Sequence, residues 1–298
     1  MAYKHILFSI EDGIARLTLN RPERLNSFTA AMHMEVRGAL RTIKRNSTVR
    51  VLLLTGAGRG FCAGHDLSEN VKPAGTETDE LVEIVDKYFH PSQHTAEEED
   101  AASAGLGELV SRYYAPLVQA LQALPIPVVC AVNGVAAGSG ANIALACDIV
   151  IAAKSANFVE SFCHVGLLPD TGGTYFLPRL IGTARAKGLA LLGEKLSAER
   201  AESWGLIWKC VPDDRLAAEA EQMARHFAGA ATLGLARTKQ AFHASINNTL
   251  DEQLEIEREY ITELGDSADY HEGMAAFAEK RPPRFIGQAR AEPLRRRA

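Results

Sequence analysis

Apolar positions along the chain fall into two kinds of pattern. Continuous apolar runs at 51–55, 128–132 and 149–153 read as strands buried on both faces. Ile14, Leu17 and Leu19 belong to another short β-like run, which stops at Asn20-Arg21-Pro22. Helical spacing begins after Thr29, a capping residue, and runs to about Arg45 with Met32, Val36, Leu40 and Ile43 on one face. Residues 140–147 read as a short, wholly buried helix. Turns follow the first two long runs: Gly56-Ala57-Gly58-Arg59-Gly60 and Asn133-Gly134. Strand, glycine turn and helix therefore alternate, which predicts an α/β fold rather than a sandwich or a bundle.

The segment at about 68–111 breaks this rhythm. It holds Pro73, Gly75, Pro91 and the acidic run Glu97-Glu98-Glu99-Asp100, with room for one helix at 79–89. It reads as a surface insertion, either a substrate-facing lid or a solvated excursion. From Ala184 onward the pattern is mostly helical. Ser197 caps a helix that stops near Gly205, and a short strand follows at 207–211. Helices are predicted at 216–227, 233–246, 250–264 and 268–278, and a disordered tail at Arg295-Arg296-Arg297. The expected division is a core over 1–199 and a helical region over 200–298. The sequence shows no internal repeat.

Composition narrows the class. With 298 residues, 47% apolar and 23% charged, the chain can bury a large core and is not a disordered one. A net charge of -5 argues against a general nucleic-acid binder. Five cysteines without a C-x-x-C pair exclude a disulfide framework and a zinc ribbon. They read as reduced core cysteines of a cytoplasmic protein. Residues 1–12 carry Lys4, Glu11 and Asp12 around an apolar stretch too short for a secretion signal. Residues 113–147 lack Asp, Glu, Lys and Arg. However, Pro125, Pro127, Asn133, Gly134, Gly138, Ser139, Gly140 and Asn142 interrupt them, so a buried strand, turn and helix is expected rather than a membrane span.

Two motifs look like chemistry and are not. Gly56-x-Gly58 follows a strand, but Phe61 stands where a dinucleotide fingerprint needs its third glycine. Gly138-Ser139-Gly140 lacks the outer glycines of a nucleophile elbow, Ala137 and Ala141 standing there instead. His65, His90, His94 and His164 lack metal-ligand spacing, so no metal is expected.

Three elements remain. The loops Phe61-Cys62-Ala63-Gly64-His65-Asp66-Leu67 and 133–141 are rich in small residues, which let backbone approach a ligand. The second feeds a helix, whose first amides point outward with the positive end of the dipole. Facing each other, two such loops can offer two N–H groups to one developing oxyanion. The third element is Gly166-Leu167-Leu168-Pro169-Asp170-Thr171-Gly172-Gly173-Thr174. Asp170 is either a carboxylate in an apolar pocket, suited to moving protons, or the N-cap of a helix at Gly172-Gly173. The residues alone favour neither.

In this order the three elements resemble the enoyl-CoA hydratase/isomerase (crotonase) superfamily. The resemblance spans nearly the whole chain. It runs from Leu19-Asn20-Arg21-Pro22-Glu23-Arg24-Leu25-Asn26-Ser27 through 54–64, Ala131-Val132-Asn133-Gly134 and Ala146-Cys147-Asp148 to Ala276-Phe277-Ala278-Glu279-Lys280-Arg281. It implies a spiral of β-β-α units and a helical trimerisation region, assembled as a homotrimer or a dimer of trimers. It also implies an acyl-CoA thioester as substrate, with CoA part of that substrate and no further cofactor. By matching positions, the backbone amides of His65 and Ser139 would hold the thioester oxygen. Ala63, Gly64, Asp66, Leu67, Gly140, Asn142 and Phe162 would surround the substrate. Arg24 and Leu25 would line the CoA entrance, and Lys280 would reach the nucleotide end from a neighbouring subunit.

The resemblance also sorts the chemistry. The two glutamates of the hydratases are matched here by Asn142 and Phe162, neither an acid. The dehalogenases of the family have a tryptophan where Phe162 stands. Asp170 is left as the single acid, as in the isomerase branch. At 23–28, 168–174 and 189–193 the chain is similar to the isomerases that turn ring-1,2-epoxyphenylacetyl-CoA into oxepin-CoA and shift 3-enoyl double bonds to the 2-position. It departs from them in a longer insertion between Asp66 and Pro116. Two alternatives stand beside this reading. One is a hydratase of the same fold that recruits another acid such as Glu160; the other is a non-catalytic acyl-CoA-binding protein.

Overall fold

The computed structural model describes residues 3–66 and 106–287. The expected helix at 79–89, most of the expected insertion, Leu67 and the C-terminal arginines lie outside the described residues.

β1 (Ile6–Glu11) and β2 (Ile14–Leu19) form an antiparallel hairpin, with Glu11 opposite Ile14. β2 then lies parallel to β3 (Val51–Gly56), which lies parallel to β5 (Val128–Val132). β7 (Ile149–Ala153) and β10 (Lys209–Val211) extend the same sheet, giving six strands in the order β1-β2-β3-β5-β7-β10. A second sheet holds four three-residue strands: β4 (Gly60–Cys62), β6 (Val135–Ala137), β8 (Asn157–Val159) and β9 (Lys195–Ser197). Three of the long strands are each followed by a short one in the other sheet: β3 by β4, β5 by β6, β7 by β8. This is the expected crotonase-like α/β spiral. It also disposes of the dinucleotide motif, because the glycine turn after β3 leads into a strand, where no helix N-terminus awaits a phosphate.

Helices cover the sheets. α1 (Ala30–Arg45) starts where Thr29 accepts a hydrogen bond from Met32 N, and it buries Met32, His33, Val36, Leu40 and Ile43. A helical stretch from Leu106 passes through one π-helical turn, Val110–Tyr114, into α2 (Ala115–Gln122). α3 (Ser139–Leu145) is buried at every residue. α4 (Gly173–Leu192) contains Pro178 and a break at Gly182, where φ is 73° and ψ 158°. α5 (Ala198–Trp204) is capped by Ser197 and closed by Gly205 in the left-handed region. α6 (Leu216–Ala228), α7 (Thr232–Ser245), α8 (Leu250–Gly265) and α9 (Ala268–Glu279) complete the chain. β10 and α6 lie beyond residue 199, yet β10 pairs with β7 in the six-stranded sheet and α6 packs on β3, β5 and β7.

The uncharged stretch 113–147 folds as α2, β5, β6 and α3, and among the described residues no helix is long and apolar enough to cross a membrane. The five cysteines are all free. Cys62, Cys130 and Cys147 are buried, whereas Cys163 and Cys210 are half-buried. Burial pushes the Cys62 thiol up to about 12, so it stays protonated and serves packing.

Candidate active site

The two glycine-bearing loops touch. Residues 63–66 leave β4 and run beside 25–28. Ala63 N donates to Leu25 O (2.9 Å), Phe28 N to Gly64 O (2.7 Å) and Asp66 N to Phe28 O (2.9 Å). In a parallel pairing of this kind Phe28 brackets His65, so the N–H and C=O of His65 itself point away from that strand. Across the gap, Ser139 opens α3, and its N–H has no acceptor within the helix. Two glycines permit the contact. A Cβ at Gly140 would collide with Cys62 O. Gly64 adopts φ +93°, and a Cβ there would sit 2.9 Å from Ala137 O and 3.4 Å from Ser139 N.

Asp66 is held from within the fold. Its buried carboxylate is paired with Arg21 (Nη2 to Oδ2, 2.9 Å), whose other nitrogen donates to Ser27 O at 2.6 Å. It therefore anchors the loop. Asn26, fully buried, does similar work. Its side chain accepts from Arg21 N and donates to Ala57 O and Gly60 O.

Asp170 is half-buried just before α4. Its side chain does not cap the helix, because the N-cap is Gly172 and no side chain bonds the first amides. Instead Oδ1 accepts two hydroxyls, Ser139 Oγ at 3.0 Å and Thr171 Oγ1 at 2.7 Å. Among the described residues nothing donates to Oδ2. Of the two readings the residues left open, the helix N-cap is therefore excluded, and hydroxyls hold one carboxylate oxygen while the other is left open. The main chain is fixed too: Asp170 O accepts from Gly173 N (2.8 Å) and Asn142 Nδ2 (2.9 Å). Thr171 is buried with φ at 53°, a strained conformation for a β-branched residue, which the surrounding bonds hold in place.

Beneath Asp170 lies a second acid. Asn142, fully buried, also directs Nδ2 to Glu160 Oε2 at 3.4 Å, while its Oδ1 has no partner among the described residues. Asn142 thus acts on the Asp170 main chain from within the fold. Glu160 follows β8 and is 1% exposed. Burial pushes its carboxyl up to about 8; the Asn142 hydrogen bond lowers it and the nearby Asp170 charge adds to the rise. Phe162 is buried beside Gly138.

The His65 ring is half-buried, with Nδ1 3.1 Å from Tyr114 Oη and Nε2 lacking a partner among the described residues. Behind it His33 is packed among Phe28, Tyr113 and Tyr114. Burial, then the neighbouring His65 and Arg37 charges, pushes His33 down to about 3. Arg24 is exposed at the end of the turn Pro22–Arg24, and Leu25 is half-buried with φ 49°. Lys280 is exposed at the left-handed C-cap of α9.

A sequence model described as enoyl-CoA hydratase/isomerase matches residues 9–95 and 85–288. The chain belongs to this family. It is similar to 1,2-epoxyphenylacetyl-CoA isomerase of Escherichia coli (strain K12), with 52% identity over 95% of this chain and 98% of that one. It is 42% identical to a probable enoyl-CoA hydratase of Rhodobacter capsulatus, over 97% of this chain and 100% of that one. Among solved structures it resembles a putative enoyl-CoA hydratase from Streptomyces coelicolor A3(2), with a TM-score of 0.81, 34% identity and 96% of each chain covered.

In this enoyl-CoA hydratase/isomerase family member, sequence reasoning singled out Asp170 and the backbone of Ser139. It missed that the Ser139 and Thr171 hydroxyls hold the Asp170 carboxylate and that Asn142 holds its carbonyl. One signal was in plain view: Ser139 and Thr171 are hydroxyl residues inside runs of otherwise small or apolar ones.

Proposed function

We propose that this isomerase of the enoyl-CoA hydratase/isomerase family acts on acyl-CoA thioesters, with Asp170 as its single acid/base. The observation that carries the reading is the Asp170 carboxylate, held at Oδ1 by two hydroxyls and open at Oδ2, beside two touching loops. The backbone N–H groups of His65 and Ser139 take the thioester oxygen as charge develops on it. Each such donor is typically worth about 10²–10³ in rate. Asp170 removes a proton from the carbon next to the thioester, giving an enolate. It then returns the proton at the far end of the allylic system, moving the double bond from the 3- to the 2-position. Each step is a proton transfer within the reach of one carboxylate, so no cofactor beyond the substrate's own CoA enters.

The natural acyl group we propose is the ring epoxide of phenylacetyl-CoA, rearranged to an oxepin, supported by similarity to the Escherichia coli isomerase of that name. There Asp170 assists opening of the epoxide. Ala63, Gly64, Gly140 and Phe162 form the walls nearest the thioester. Arg24 and Lys280 supply positive charge for the CoA phosphates, and Leu25 packs at the entrance. Self-association as a homotrimer or a dimer of trimers is supported by exposed Phe242, Ile246, Leu254 and Phe277 on the C-terminal helices. A cytoplasmic setting is supported by five unpaired cysteines.

Water addition is disfavoured. Glu160, the acid nearest the vacant glutamate positions, is 1% exposed and bonded to Asn142. The test is to supply a 3-enoyl-CoA and, separately, a 2-enoyl-CoA. The reading predicts conversion of the first at unchanged mass. Gain of one water by the second contradicts it and restores the hydratase. No reaction of either, nor of the ring epoxide, leaves a non-catalytic acyl-CoA binder.

A further inference from the structure

Glu160 has no part in the proton transfers, yet it is buried at their edge without a cation. Among the described residues its neighbours are few. Asn142 faces it from α3 and Asp170 from the loop before α4, and Cys163 Sγ stands 3.9 Å from Glu160 O in the turn Ser161–Val165. An ionised carboxylate there is costly, because its charge is desolvated and the nearest charge has the same sign.

A second oddity sits on the same pair. Asn142 uses Nδ2 twice, toward Asp170 O at 2.9 Å and toward Glu160 Oε2 at 3.4 Å, and leaves a buried Oδ1 without a donor among the described residues. A carboxylate only accepts, but a carboxylic acid also donates. An amide has one N–H beside its own oxygen and one turned away, so a single Asn can meet an acid with one edge and a carbonyl with the other.

We propose that Glu160 is a positioning residue that works as the neutral acid: its O–H satisfies Asn142 Oδ1, and the amide fixed in this way holds the main chain of Asp170 in place for proton transfer. The proposal rests on the isomerase reading of Asp170. It accounts at once for the buried acid and for the orphaned amide oxygen. Loss of the Glu160 proton removes the donor and sets a second negative charge beside Asp170. The proton belongs to Glu160 up to about pH 8, so turnover falls on the alkaline side while thioester binding is largely kept.

The experiment is the pH profile of kcat and KM on a 3-enoyl-CoA for the wild type, Glu160→Gln and Glu160→Ala. It is paired with the infrared carboxylic-acid C=O band near pH 7, recorded as wild type minus Glu160→Gln. Gln keeps a donor and cannot ionise. Its kcat is expected within about threefold of wild type at neutral pH, without the alkaline limb. Ala is expected to lower kcat about tenfold with little change in KM. An alkaline limb that survives in Glu160→Gln overturns the proposal, as does the absence of the acid band. Absence of turnover by the wild type removes the isomerase reading instead, and the infrared band then decides the neutral Glu160–Asn142 pair by itself.

Discussion

Ser139, the first residue of α3, donates its hydroxyl to Asp170 Oδ1 over 3.0 Å, across 31 positions of sequence. One residue therefore touches both halves of the proposed chemistry. In that proposal its backbone N–H takes the thioester oxygen, while its side chain holds the carboxylate assigned as the base. Thr171 supplies the matching hydroxyl from the other side at 2.7 Å. Together they hold Oδ1 and leave Oδ2 without a donor among the described residues.

We predict that Ser139→Ala and Thr171→Ala each lower kcat by about 10- to 100-fold, with KM changed little. Each removes one hydrogen bond to a charged group, typically worth about 1.5–3 kcal/mol, and leaves the backbone amides in place. The double variant should be worse than either alone, because the carboxylate is then free to rotate. Steady-state kinetics on a 3-enoyl-CoA decides. A rise in KM with unchanged kcat would mean that the hydroxyls bind substrate and do not orient the base.

The fold should also carry an acid-side instability centred on His33. Burial holds its folded pKa near 3, against about 6.5 in an unfolded chain. The unfolded state binds the proton more readily. The contribution is therefore full above about pH 6.5 and is lost as pH falls toward 3, amounting to a few kcal/mol. His33→Phe keeps a ring against Phe28 and Tyr114 but cannot titrate. Its melting temperature should fall less steeply than that of the wild type between pH 6.5 and 4. Parallel curves would remove His33 from this role.

Lys239 ties the C-terminal helices to the core. From α7 its Nζ donates to Asp148 Oδ2 at 2.9 Å and to Leu121 O at 3.1 Å, with the lysine side chain 8% exposed. Burial raises the Asp148 carboxyl while Lys239 pulls it down. Lys239→Met removes the cation from a partly exposed carboxylate that Val128 N still bonds at 2.7 Å, and should cost about 1.5 kcal/mol in urea unfolding. A loss below about 0.5 kcal/mol would show the pair to be no better than a surface contact.

Much of this architecture is legible from residue pattern, and the exceptions have physical causes. β3, β5 and β7 show as apolar runs because each is covered on both faces, and Thr29 and Ser197 announce α1 and α5 by capping them. β4, β6, β8 and β9 span three residues each, too short for an alternation to register. The first half of α4 is hidden by Pro178 and by Gly182, two helix breakers inside one element. At the site, the two loops and Asp170 are visible through their small residues and through family resemblance. The pairing of Ser139 with Asp170 and the place of Glu160 under Asn142 arise only when β8, α3 and the loop before α4 come together.

The central claim is that one carboxylate moves the proton, and Asp170→Asn tests it most directly. The asparagine keeps the shape and an oxygen for the two hydroxyls but is no base. Turnover of a 3-enoyl-CoA should fall by at least about 10³, while the affinity for the thioester, measured by calorimetry, stays within about threefold. Turnover within tenfold of wild type would contradict the account, for the proton would then be moving through some other group.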